Sequence, residues 1–100
     1  MIISTGRFER PPSNIGTKQI IVGTSRVQVS STSVKVRSVT IKADDNNTGK
    51  VYVGGRNVTT QNGYALYPGQ AVDIFIDDLS KIYLVSDADN QLVYIIYVKD

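Results

Sequence analysis

A chain of 100 residues, 41% of them hydrophobic and with a net charge of +2, is one domain with material for a single core. It has no cysteine and no histidine. That excludes a disulfide scaffold, a thiolate nucleophile and Cys-ligated zinc, and removes the commonest general base and transition-metal ligand. An ordinary hydrolase or metalloenzyme is therefore not expected, and neither is a cofactor.

The charge is unevenly spread. Residues 1–42 carry seven basic residues against Glu9 alone, a net +6, whereas residues 43–100 carry four basic residues against eight Asp, a net −4. The basic residues are spaced along the chain rather than clustered, and no aromatic residues interleave with them as a nucleic-acid platform needs. The reading favoured is that the two halves neutralise each other, not that they bind nucleic acid. The opening MIISTGRFERPP lacks a basic region followed by an apolar run, so it does not read as a signal peptide. The longest apolar run falls far short of a membrane span.

In chain order, residues 1–25 hold Pro11-Pro12, Gly6, Gly16 and Gly23, with Ile2, Ile3, Phe8 and Ile15 at no regular period. Pro-Pro favours an extended, polyproline-like path. The expectation is an extended N-terminal arm over 1–25, ahead of a β-sandwich domain over 26–100. Phe8 between Arg7 and Arg10 supplies an apolar anchor and charges suited to docking on a partner.

Ile20-Ile21-Val22 and Val27-Gln28-Val29 are the first short strand candidates, split by Gly23. Val34-Lys35-Val36-Arg37 alternates apolar and charged residues, the mark of a strand with one wet face. Val39 and Ile41 continue in the opposite parity, and such a slip would turn the buried face outward, so a bulge or corner is expected near Arg37-Ser38. Residues 44–49 form a loop rich in Asx-turn formers, with Gly49 expected at positive φ. Val51-Tyr52-Val53 is a strand, Gly54-Gly55 a turn, and Asn57-Val58-Thr59 a short strand or helical turn.

Asn62-Gly63 is the strongest local turn signal. Tyr64-Ala65-Leu66 leads into Pro68-Gly69, where a type II turn is predicted. Val72, Ile74 and Ile76 make one face of the next strand, and residues 77–80 a tight connection with one 3₁₀ turn. Ile82-Tyr83-Leu84-Val85 and residues 93–98 are apolar at nearly every position, which predicts central strands buried on both sides. About eight short strands with turn punctuation and no helix of consequence predict an all-β protein: a single antiparallel β-sandwich, jelly-roll-like.

The candidate chemistry resolves into turns. Asp44/Asp45, Asp77/Asp78 and Asp87 with Asp89 all fall in predicted turns, where Asp is favoured for its backbone hydrogen bonds. Asp87-Ala88-Asp89-Asn90 has the opening spacing of a calcium loop but lacks the later Gly and the distal Glu. No catalytic residue and no metal site is expected. Of six tyrosines, Tyr52, Tyr83, Tyr94 and Tyr97 lie within strands. Tyr64 and Tyr67 flank turns and are the candidates for an exposed contact, to a sugar ring or a protein.

Four phrases carry a family resemblance: Val39-Thr40-Ile41-Lys42-Ala43; Asn47-Thr48-Gly49-Lys50-Val51-Tyr52-Val53-Gly54; Asn62-Gly63-Tyr64-Ala65-Leu66-Tyr67-Pro68-Gly69; and Ile76-Asp77-Asp78-Leu79-Ser80-Lys81-Ile82-Tyr83. Over residues 39–98 the chain resembles a family of small virion structural proteins of tailed bacterial viruses, of capsid-decoration or head-fibre type. The resemblance leaves residues 1–38 outside it. It implies a non-enzymatic virion component on a jelly-roll-like sandwich, docking on the major capsid protein or another virion protein. It also implies a symmetric homo-oligomer such as a homotrimer, which would cover exposed sheet edges. The competing reading is a carbohydrate- or receptor-binding module of a virion using Tyr64, Tyr67 and the loops 44–49 and 87–90.

Overall fold

A computed structural model describes residues 11–100. Eight strands follow in order: β1 (Asn14–Val22), β2 (Val27–Gln28), β3 (Ser38–Ala43), β4 (Val51–Gly54), β5 (Tyr64–Leu66), β6 (Ala71–Ile74), β7 (Tyr83–Ser86) and β8 (Gln91–Lys99). They form two four-stranded sheets with orders β1-β8-β3-β6 and β2-β7-β4-β5, every pairing antiparallel. Interleaving the first four strands with the last four across two sheets is the eight-stranded jelly roll.

The core lies between the sheets. Val39, Ile41 and Ala43 of β3, Val51 and Val53 of β4, Leu84 of β7, and Val93 and Ile95 of β8 alternate inward, the period-2 pattern that one buried face requires. The expected corner is present. Val36 and Val39 are both buried, and between them Arg37 turns its N–H to the Val98 carbonyl at 2.8 Å. Residues 34–37 do not form a regular strand, however; Lys35 makes only an isolated bridge to Asp78. The 3₁₀ turn spans Leu79–Lys81, with Asp78 as its N-cap.

Several expectations need correction. Residues 14–19 of the expected arm join the strand candidate Ile20-Ile21-Val22 in one nine-residue strand that pairs along its whole length with β8. Within the described residues the sandwich therefore begins at Asn14. The inward positions of β1 hold Gly16 and Lys18 before Ile20 and Val22, so its alternation was hidden. The partly buried Lys18 ammonium is satisfied by donating to the Val29 carbonyl at 2.7 Å, an inward-pointing charge of the kind that blunts an open sheet edge.

Gly49 does not adopt positive φ; among the described glycines only Gly69 does, at φ 86°. Glycine stands at 49 because a Cβ there would lie 2.4 Å from Asp87 Oδ1 and 2.8 Å from Ala88 Cβ. At Tyr67-Pro68-Gly69-Gln70 the type II turn is as predicted, closed by the Gln70 N–H donating to the Tyr67 carbonyl at 2.9 Å. β7 and β8 are central in their sheets, but β8 is not buried on both sides: Ile96 is 45% exposed.

Candidate functional site

The charged residues mostly pair with one another. Three ion pairs cross between the basic and acidic halves: Lys35–Asp78 at 3.5 Å, Arg37–Asp100 at 3.0 Å and Lys42–Asp45 at 3.4 Å. Lys50–Asp87 and Lys81–Asp77 add two more within the acidic half. Such surface pairs stabilise little individually, but they leave no continuous basic stripe on the described surface.

The paired carboxylates do not converge on a substrate. Asp77 bonds Lys81 at 2.8 Å, and that contact holds its carboxyl below the usual range. Asp78 is buried and works as a structural hub. It accepts from the Ser33 hydroxyl, the Ser80 N–H at 2.9 Å, the Val34 N–H at 3.0 Å and the Ser80 hydroxyl at 2.8 Å. Led by the Ser33 hydroxyl, these donors depress its pKa far below the ordinary carboxylate range against the opposing effect of burial. A carboxylate so fully engaged ties the 33–34 segment to the 3₁₀ turn and has no lone pair left for chemistry.

The loops 44–49 and 87–90 do meet at one end of the sandwich. Asp87 Oδ1 accepts the Lys50 N–H at 2.9 Å, and Asp89 Oδ1 accepts the Thr24 N–H at 3.3 Å. Asp44 accepts the Tyr94 hydroxyl at 2.8 Å and the Asn46 N–H at 3.0 Å; the Tyr94 bond is the main cause of its lowered pKa and of the raised pKa of Tyr94. No group of three or more His, Cys, Asp or Glu among the described residues is placed to hold a metal ion.

Tyr64 and Tyr67, the tyrosine candidates, are 62% and 54% exposed, yet they serve different places. Lys50 sits over the Tyr67 ring at 5.2 Å, a cation–π contact beside the acidic loops. Tyr64 instead lines an apolar slot of about 340 Å³ with Val72, Ile74, Ile76 and Lys81, on the flank where the edges of the two sheets meet. Arg7, Phe8 and Arg10 lie outside the described residues.

The feature that residue-by-residue reading missed is a sheet face. On the outside of β1-β8-β3-β6 the register sets four rows across the sheet. Ile15, Val98 and Ser38 share one row, and Phe75, one residue past β6, continues it. Thr17, Ile96, Thr40 and Asp73 make the second. Gln19, Tyr94, Lys42 and Ala71 make the third, and Ile21 with Leu92 the fourth. Six large hydrophobic side chains are exposed among the described residues, and four of them, Ile15, Ile21, Phe75 and Ile96, stand on this face. Phe75 is 92% exposed.

The other sheet is covered. Its outer face carries Tyr52 and Val85, and the loop 55–63 folds back over them. Val58 is buried so closely against Gly54 and Gly63 that a Cβ on either would lie 2.7 Å from its Cγ2, and Arg26 Nη1 donates to the Val58 carbonyl at 3.3 Å. One sheet thus brings its own lid, and the other shows bare apolar side chains.

No family model and no curated protein matches the chain. Among solved structures, a protein of the Bacillus endospore appendages, described as a novel family of disulfide-linked pili, aligns over 100% of this chain and 99% of its own. The TM-score is 0.52 and the identity 10%. The likeness is one of fold. No described helix is long and apolar enough to cross a membrane.

Proposed function

We propose that this chain is a non-enzymatic structural subunit that works by packing into a larger assembly, and that the assembly is a virion, whose capsid it decorates. The observation that carries the packing role is the bare outer face of β1-β8-β3-β6. Four of the six exposed large hydrophobic side chains of the described residues gather on this one face, among Thr17, Gln19, Thr40, Lys42 and Asp73, a concentration that fits a contact surface, while the opposite sheet is covered. The described carboxylates are engaged in turns and ion pairs, which fits a role in packing.

The virion assignment rests on the resemblance over residues 39–98. The endospore-appendage likeness supports the broader part only, since it is a likeness of fold to a protein of assembled appendages. Residues 1–10, with Arg7, Phe8 and Arg10, are the proposed docking element toward the major capsid protein or another virion protein.

The test is occupancy on particles. Purified virions that encode this chain are expected to contain it at a fixed copy number, and recombinant protein is expected to rebind particles stripped of it. Intact particles free of the chain would overturn the virion assignment. Phe8→Ala with Arg7→Ala and Arg10→Ala is expected to lower rebinding; unchanged rebinding would overturn the docking role of that segment.

A further inference from the structure

We infer that the outer face of β1-β8-β3-β6 is occupied by the same face of a second copy of this chain, related by a two-fold axis running across the strands. This rests on the packing role proposed above and specifies its partner. The face is self-complementary in that arrangement. A two-fold axis in the contact plane, perpendicular to the strands and between the second and third rows, lays the first row of one copy over the fourth row of the other, and the second over the third.

The register then fixes what meets what. Ile15 falls on Ile21 of the second copy and Val98 on Leu92, so the two apolar ends of the face cover each other. In the middle Ile96 falls on Tyr94. Lys42, which within its own chain pairs with Asp45 at 3.4 Å, lies over Thr40 of the second copy and one strand away from its Asp73, so that by leaving Asp45 its long side chain reaches Asp73 across two sheets packed about 10 Å apart. Symmetry makes each contact twice. A shallow hollow lined by Thr17, Thr40, Lys42, Ala71, Tyr94 and Ile96 stands where the second copy's Ile96 would seat.

The alternative axis, parallel to the strands, lays β1 over β6. It matches Ile15 with Phe75, but sets Val98 over Ser38, Ile96 over Thr40 and Lys42 over Tyr94, so most of the apolar side chains meet polar ones and Lys42 meets no carboxylate of the second copy. The area is adequate: four strands by four rows make roughly 25 by 19 Å, so about 1,000 Å² is buried in total, the lower bound of a specific interface. The pair is therefore expected to form at assembly concentrations and to dissociate on dilution. A two-fold pair also departs from the homotrimer implied by the family resemblance.

The test uses the full chain. Sedimentation across a hundredfold concentration range is expected to show a monomer–dimer equilibrium, with Ile96→Asp remaining monomeric at concentrations where the unaltered chain is dimeric. Lys42→Asp and Asp73→Lys are each expected to weaken the dimer tenfold or more, and the double variant to recover most of that loss, each with its melting temperature recorded to show that it folds. Because the chain has no cysteine, introduced thiols report contact alone. Ile15→Cys mixed with Ile21→Cys is expected to give a disulfide-linked dimer, and neither variant alone. Crosslinking of Ile21→Cys with itself, no crosslink in the mixture, or a monomer at every concentration would overturn the proposal. A monomer that still loads onto particles would leave the packing role standing, whereas a monomer that loads onto nothing would remove both.

Discussion

Gln91 and Thr48 bond each other in both directions: Gln91 Oε1 accepts the Thr48 N–H at 2.8 Å, and Gln91 Nε2 donates to Thr48 Oγ1 at 3.0 Å. The same Oε1 takes the Gly49 N–H at 2.9 Å, and Nε2 also donates to the Asp89 carbonyl at 2.6 Å. Gln91 is 2% exposed, so its amide is the buried clamp that seats the 44–49 loop against the end of β8. Gln91→Leu fills the volume but leaves two backbone N–H groups without acceptors, a loss of about 3 kcal/mol. Urea unfolding measures the loss, and hydrogen exchange at Thr48 and Gly49 should accelerate more than exchange at Val93. An equal change at all three sites would mean that Gln91 supports the fold and not the loop in particular.

Asp78 links stability to acid. Its folded pKa lies below that of the unfolded chain, so its contribution is fully present above the unfolded carboxylate pKa of about 4 and is lost as pH falls toward the folded value. Asp77 and Asp44 are shifted in the same direction and act in the same window. Asp78→Asn retains the shape but not the charge. It is expected to be less stable than the unaltered chain at pH 7, with the gap narrowing between pH 4 and pH 2. A parallel fall of both proteins over that range would show that Asp78 does not titrate with folding.

Much of the sandwich was legible because its inner positions alternate. Val39, Ile41 and Ala43, then Val51 and Val53, announce β3 and β4, and the slip between Val36 and Val39 announces the corner. β1 was legible only at its end, Ile20-Ile21-Val22, since Gly16 and Lys18 take inward places where an apolar residue would show the period. Ile15 looked irregular for the same reason, and shared a face with Ile21 only once β1 was set beside β8. The lid over the second sheet was equally hidden. Val58 is one apolar residue in a polar loop, and nothing local to it says that it is buried. Tyr64 and Tyr67 read as a pair because both flank turns, whereas the edge strand and its turn send them to different surroundings.

Val58 should behave as a core residue despite its loop. Val58→Ala removes two methyl groups from a site 4% exposed, about 2 kcal/mol, and uncovers Tyr52 and Val85. The expected signs are a lower urea midpoint and increased binding of an apolar dye under native conditions. Arg26→Ala, which releases the loop carbonyl, should act in the same direction by a smaller amount. A Val58→Ala midpoint equal to that of the unaltered chain would show that the loop does not cover the sheet in solution.

Any assembly of this chain must hold without disulfides of its own. The appendages whose fold it shares are described as disulfide-linked pili, and a chain with no cysteine cannot make that bond to itself or to a neighbour. Cohesion then has to come from buried apolar area and from charge pairs, which respond to different agents. Assemblies of the unaltered chain are expected to be indifferent to reductant and to come apart in a few molar urea, which solvates apolar and peptide groups. Moderate salt should weaken only the ionic part, because surface pairs are screened over about 10 Å at 0.1 M. Sedimentation with and without dithiothreitol, in rising salt and in urea, separates these cases. If high salt alone dissolved the assembly, its cohesion would be ionic, and the bare apolar face would not be what holds the copies together.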